Sequence, residues 1–230
     1  MTLTTLCRLF TTEPRTRIVA FGSSNTDRRI TGMHWFDWLD LGIKQTFGRV
    51  HHCINAGVGG DTTEELLKRF DEDVARYAPH AVIVTIGGND AKPGGLGEAT
   101  YRANLLALCE KIRALDATAV LQTYYAADTE ALGDIHGPRF LAFMQVIRDV
   151  AAQTGTPLVD HHRRWEPLRL QHPDLYQALM LDALHVNALG NAIMGLDLIR
   201  AFDLRLDPAA LTHATPARAY QRLLDTLDEG

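Results

Sequence analysis

The chain has 230 residues, 46% of them hydrophobic and 22% charged, the size and balance of one large α/β domain with a substantial core. Twenty-eight acidic against 23 basic residues leave a formal charge of −5, so the surface as a whole has no electrostatic pull on nucleic acid or anionic membrane. Three cysteines (Cys7, Cys53, Cys109) without CxxC spacing argue against a disulfide framework and a zinc knuckle, and Cys53 and Cys109 read as small core residues.

Residues 1–17 lack a continuous apolar run with a small-residue cleavage site, and no stretch approaches the ~18 apolar residues of a membrane span. The expected compartment is therefore the cytoplasm. Residues 17–21 (RIVAF) form a short apolar run that ends at Gly22 and reads as a buried strand. A helix follows over Trp35 to Phe47. Residues 50–55 (VHHCIN) read as the second strand, running into Gly57-Val58-Gly59-Gly60. Asp61 is then placed to cap a helix, with Glu64 reaching back. Leu66, Leu67, Phe70, Val74 and Tyr77 recur at helical spacing and are expected to face the core.

Residues 81–86 (AVIVTI) are the most apolar strand and end at Gly87-Gly88. A helix over 101–115 carries Leu105, Leu108, Cys109 and Ile112 on one face, and 119–125 reads as the fourth strand. Phe140, Phe143, Met144, Ile147 and Ala151 mark the next helix, which Gly155 and Pro157 terminate. A short fifth strand at 158–160 and a long helix over 187–202 complete the pattern. Near-continuous apolar strands alternating with amphipathic helices specify one doubly wound α/β domain, a parallel sheet of about five strands covered on both faces. Residues 204–230 form a C-terminal tail whose packing partner lies in the same chain or in another subunit, so a homo-oligomer stays open.

Ligands of open parallel sheets bind beyond the carboxyl ends of the strands. There the chain places Gly22-Ser23-Ser24-Asn25-Thr26, Gly57-Val58-Gly59-Gly60-Asp61 and Gly87-Gly88-Asn89-Asp90. Ser24 is the candidate nucleophile, a weak one until a base takes its proton. His185 is the candidate base. Asp182, three residues earlier, is close enough to hold its Nδ1 and stabilise the imidazolium. The backbone N–H groups of Ser24 and Gly60 and the side-chain amide of Asn89 are candidate donors for an oxyanion. The pattern points to attack on an acyl carbonyl, with no metal or organic cofactor and a small-molecule ester as partner. The rate is expected to rise with pH over the range in which an imidazole loses its proton.

The same residues resemble the SGNH hydrolases, also called GDSL esterases and lipases. The family's Gly-Asp-Ser-x-Thr block aligns with residues 22–26, its Asn and Gly with Asn55 and Gly60, and its Gly-x-Asn-Asp with residues 87–90. Its Asp-x-x-His, Asn and Gly align with Asp182, His185, Asn187 and Gly190. The resemblance implies a three-layer flavodoxin-like fold, a triad of Ser24, Asp182 and His185, and an oxyanion hole of Ser24, Gly60 and Asn89. One position departs: Ser23 stands where the family has Asp, and family spacing selects Ser24 rather than Ser23 as nucleophile.

Other readings fit less well. A dinucleotide fingerprint would need glycine where Thr62 stands, and a nucleophile elbow would need it where Thr26 stands. His51-His52 and His161-His162 are expected on strands, where neighbours point to opposite faces, one buried and one exposed, so neither pair makes a metal site. A non-catalytic binding module of the same fold is the remaining rival. The segments 90–97 and 124–138 are expected to border the pocket, with Tyr124, Tyr125 and His136 touching substrate. No long apolar insertion forms a lipid lid, which favours short acyl groups on carbohydrates or small alcohols, with thioesterase, lysophospholipase or acyl-transfer chemistry open on the same machinery.

Overall fold

A computed structural model describes residues 7–207 and 212–228. Its centre is a five-stranded, all-parallel sheet in the order β2-β1-β3-β4-β5. The strands are β1 (Arg17–Gly22), β2 (His52–Gly57), β3 (Ala81–Thr85), β4 (Thr118–Gln122) and β5 (Leu158–Val159). The crossover helices are α1 (Trp35–Phe47), α2 (Thr63–Asp73), α3 (Glu98–Arg113) and α4 (Gly133–Thr154). Three longer helices follow, α5 (His161–Gln171), α6 (Ala188–Ala201) and α7 (Ala214–Asp228), with a single short helical turn over Pro173–Gln177 after α5.

Alternation along the strands divides the core into two layers. Ile18, Ala20, Ile83 and Val120 face α1 and α6, meeting Trp35, Trp38, Leu39 and Ile193. Val19, Phe21, Val82, Val84 and Leu121 face α2, α3 and α4, meeting Leu66, Phe70, Leu105 and Phe140. With helices on both faces, the inner strands β1, β3 and β4 must be apolar on both sides, which explains their unbroken hydrophobic runs. The step from β1 to β2 runs one way across the sheet and the step from β2 to β3 runs back. Right-handed crossovers therefore put α1 and α2 on opposite faces and open a crevice between the ends of β1 and β3.

Several local expectations are corrected. β2 starts two residues later than expected, because its register with β1 pairs Arg17 with His52 and Gly22 with Gly57. β4 ends at Gln122 rather than at residue 125, since its neighbour β5 is only two residues long. The cap of α2 is Thr62, whose hydroxyl accepts the Glu64 N–H at 3.3 Å while Glu65, not Glu64, accepts the Thr62 N–H at 3.0 Å. That box holds the Glu65 carboxyl down at about 2. Leu66, Phe70 and Val74 are buried as expected, but Tyr77 is exposed because the helix has given way to a 3-10 turn over Ala75–Tyr77. Cys109 is buried and Cys53 only half-buried.

His161 and His162 open α5 rather than lying on a strand. Adjacent helical positions diverge by about 100° instead of 180°, so both rings turn inward and both are buried. His51 and His52 do divide into one buried and one exposed residue. Within the tail, α7 packs on its own chain. Gln221 donates to Asp197 at 2.8 Å, and Asp225 receives Arg164 at 2.8 Å and Arg200 at 2.7 Å. No helix among the described residues is long and apolar enough to cross a membrane.

Candidate active site

Gly22 closes β1 where a Cβ would lie 2.3 Å from the Thr85 carbonyl oxygen, so only glycine lets the chain pass β3 and turn. The turn is held by the Thr26 and Asp27 N–H groups, both 2.9 Å from the Ser23 carbonyl. It separates the two adjacent serines. Ser23 is buried, with Oγ 3.1 Å from the Tyr124 hydroxyl. Ser24 is half-buried and points into the crevice, with Oγ 2.8 Å from His185 Nε2.

The histidine comes from a tight loop between α5 and α6, directly before α6 begins. The Leu181 and Asp182 N–H groups fold back on the His185 carbonyl at 2.7 and 3.3 Å, and Met180 and Val186 form an antiparallel bridge. Asp182 accepts the N–H groups of Leu184 and His185 through Oδ1, both at 2.8 Å. Its two oxygens lie 2.9 and 2.8 Å from His185 Nδ1. Burial pushes this carboxyl up, but the bonds from Leu184 and His185 outweigh it and hold Asp182 below the usual carboxylate range. An ionised carboxylate on Nδ1 leaves Nε2 free to take a proton.

Gly60 and Asn89 reach the same crevice from the ends of β2 and β3. Gly60 has φ +94° with open space around its Cα, so conformation rather than crowding demands glycine. Asn89 donates one amide hydrogen to the Asp61 carbonyl at 2.9 Å, which orients the amide toward the Gly60 turn. No motif marks Arg69, yet it ties these loops together. Its guanidinium donates to Ala56 O at 2.8 Å, Gly22 O at 3.0 Å, Asp61 at 2.7 Å and Asp73 at 2.9 Å. Asp90 adds a second tie, accepting the Thr63 N–H at 2.8 Å and hydroxyl at 2.6 Å and so pinning the start of α2 to the β3 loop.

A cleft of about 660 Å³ is lined by Ser24, Gly60, Asn89, Asp182 and His185, with Arg29, Lys92, Leu132 and His136 on its walls. A small pocket of about 80 Å³ adjoins it across Ser24, Arg29 and His185, walled further by Ile30, His34, Leu181, Val186 and Asn191. His136 thus reaches the cleft, its Nε2 3.1 Å from the Gly88 carbonyl. Tyr124 and Tyr125 do not. Both rings are buried, and the expectation that they touch substrate is corrected: β4 ends behind the crevice, so the tyrosines support its loops from within. Their hydroxyls face Ser23 and Asn25 instead. Among the described residues no three His, Cys, Asp or Glu side chains come together to hold a metal ion.

Comparison with known proteins agrees with this architecture. The GDSL-like lipase/acylhydrolase family matches residues 20–193. The chain is 30% identical over 182 residues to the uncharacterised lipoprotein YqeF of Bacillus subtilis, covering 64% of this chain and 71% of that protein. It is 34% identical over 113 residues to Esterase TesA of Pseudomonas aeruginosa, 49% of this chain and 53% of that one. The acetylxylan esterase Axe2 of Geobacillus stearothermophilus superposes with a TM-score of 0.70 at 20% identity, over 83% of this chain and 95% of that one. With the matched segment spanning all four loops of the crevice, the chain belongs to the GDSL-like lipase/acylhydrolase family and is a carboxylic ester hydrolase of the SGNH type.

Proposed function

We propose that the protein hydrolyses short-acyl esters through an acyl-enzyme on Ser24. The observation that carries this reading is the continuous chain from Ser24 Oγ to His185 Nε2 at 2.8 Å and from Nδ1 to Asp182 at 2.8 Å. Ser24 Oγ attacks the ester carbonyl while His185 takes its proton. The negative charge that develops on the carbonyl oxygen is received by the N–H groups of Ser24 and Gly60 and by the Asn89 amide, neutral donors in place before reaction. His185 then protonates the leaving alcohol oxygen. A water deprotonated by the same ring attacks the acyl carbonyl and releases the acid and Ser24.

The two cavities support the assignment of the halves. The 80 Å³ pocket suits a short acyl chain, and the 660 Å³ cleft suits the larger alcohol, a carbohydrate or a small polar alcohol. A graded ester panel tests this: kcat/KM falls at least about tenfold between acetyl and octanoyl esters of one alcohol, as steric exclusion of the longer chain requires. A serine-directed phosphonate labels the wild type at Ser24 and leaves Ser24→Ala unlabelled. Labelling at another serine, or preference for the long chain, overturns the reading.

A further inference from the structure

Among the described residues Arg29 is a cation without a counterion. Arg28 beside it pairs with Asp37, and Arg69 bridges Asp61 and Asp73. Arg29 forms no ion pair among the described residues, and its Nη1 instead lies 3.1 Å from His185 Nε2. That nitrogen has one lone pair, and Ser24 Oγ already stands 2.8 Å away. Two donors therefore compete for one acceptor. The contact also opposes the chemistry, because a guanidinium beside a newly formed imidazolium is repelled. Such an arrangement needs something to draw the guanidinium away.

Arg29 lines the 660 Å³ cleft. Lys92 lines the same cleft, likewise with no carboxylate partner among the described residues. The only carboxylate on its walls among those residues is Asp182, whose two oxygens both face the His185 ring. Two unpaired cations thus stand in one cleft of a chain whose net charge is −5. Their side matters too. The leaving oxygen must approach His185 Nε2 to be protonated, and Arg29 touches that same nitrogen. Arg29 borders both the small pocket and the cleft, whereas Lys92 borders the cleft alone, so the region the two cations share is the alcohol half.

We propose that Arg29 and Lys92 read a negatively charged oxyanion group, a carboxylate or a phosphate, on the alcohol half of the ester. The substrates are then short-acyl esters of anionic alcohols. On binding, the Arg29 guanidinium leaves the imidazole for the oxyanion, whose geometry its planar fork matches. The Nε2 lone pair is thereby released to the Ser24 hydroxyl, so the correct charge on the substrate also readies the base. This inference rests on the ester-hydrolase reading.

The test compares three acetyl esters on the intact protein: O-acetylglycolate, its neutral methyl ester, and the acetyl ester of glycerol phosphate. The wild type prefers the anionic esters by tenfold or more in kcat/KM, expressed mainly in KM, and the preference shrinks as salt screens it. Arg29→Ala reduces the anionic-to-neutral ratio at least tenfold, Arg29→Lys retains part of it, and Lys92→Ala lowers it to a lesser degree. Arg28→Ala, on the same turn but outside the cleft, leaves the ratio unchanged. Whichever anionic arm loses more in Arg29→Ala identifies the oxyanion. A ratio near one in the wild type, or a ratio unmoved by both Arg29→Ala and Lys92→Ala, overturns the proposal while leaving the hydrolase reading intact. Failure of the wild type to hydrolyse any of the three overturns both.

Discussion

The Tyr125 hydroxyl accepts the Val186 backbone N–H at 2.9 Å, and from this one oxygen the two halves of the site are joined. It lies 2.7 Å from Asn25 Oδ1, on the turn that carries Ser24, and against the Leu184 carbonyl, next to His185. Serine and histidine come from loops about 160 residues apart, separated as Ser24 and His185 are by 161 positions. A buried hydroxyl that bonds both loops fixes their spacing.

Tyr125→Phe keeps the ring and removes the tie. It leaves the Val186 N–H without its partner, so stability falls by about 1–2 kcal/mol. The reactive geometry loosens as well, and kcat drops about tenfold with KM little changed. Thermal unfolding and steady-state kinetics on one ester check both. A loss confined to stability would show that the hydroxyl does not set the serine–histidine spacing.

The two serines divide cleanly. Ser24→Ala removes turnover by about 10³-fold or more, the scale expected when a triad nucleophile is lost. Ser23→Ala removes only a buried contact to Tyr124, and activity stays within about tenfold of wild type. Equal losses in the two variants, or none in either, refute the assignment of Ser24.

Asn89→Ala leaves the loop tie to Asp61 broken and removes a candidate oxyanion donor. The expected cost is about 10²–10³ in kcat with KM nearly unchanged, because the donor acts on charge present only in the transition state. Arg69→Met supplies the contrast. It frees the Gly22, Ala56 and Asp61 partners and so lowers the melting temperature together with kcat. A thermally intact, fully active Arg69→Met would contradict its role in holding the loops.

Acid stability follows from Asp160. Burial pushes its carboxyl up, but the Arg148 guanidinium at 2.7 Å and the Arg163 N–H outweigh this and hold it below the usual range. A carboxyl depressed in the folded state adds stability that is complete above its unfolded value of ~3.9 and is lost as pH falls through the lower folded value. Asp160→Asn therefore destabilises at pH 7 by about 2 kcal/mol, and the gap narrows as pH falls below the unfolded carboxyl value of ~3.9. Chemical denaturation above and below that value reads the difference. A constant gap across pH would exclude the ion pair as its source.

The period of the hydrophobic pattern gave the sheet and most of its helices, since a strand covered on both faces can only be apolar throughout. It could not give β4's true end, because that depends on how long the neighbouring strand is. It also misplaced His161-His162, since two adjacent histidines carry no periodicity that distinguishes a strand from a helix start. That Ser24, His185 and Asp182 would meet in one crevice was legible because reactive chemistry restricts residue type and because small residues mark strand ends. Tyr124 and Tyr125 were misread for the opposite reason: a tyrosine near a site looks the same in sequence whether its hydroxyl meets a ligand or a backbone.

Local chemistry, then, determined the class of fold, the loops on which the site is built and the residue types able to attack an ester. The folded chain alone decided that Ser24 rather than Ser23 faces the crevice, that Arg69 and Tyr125 hold the loops in place, and that Arg29 meets His185. Those are contacts between segments far apart in sequence, fixed by the register of the sheet and the packing of its two layers.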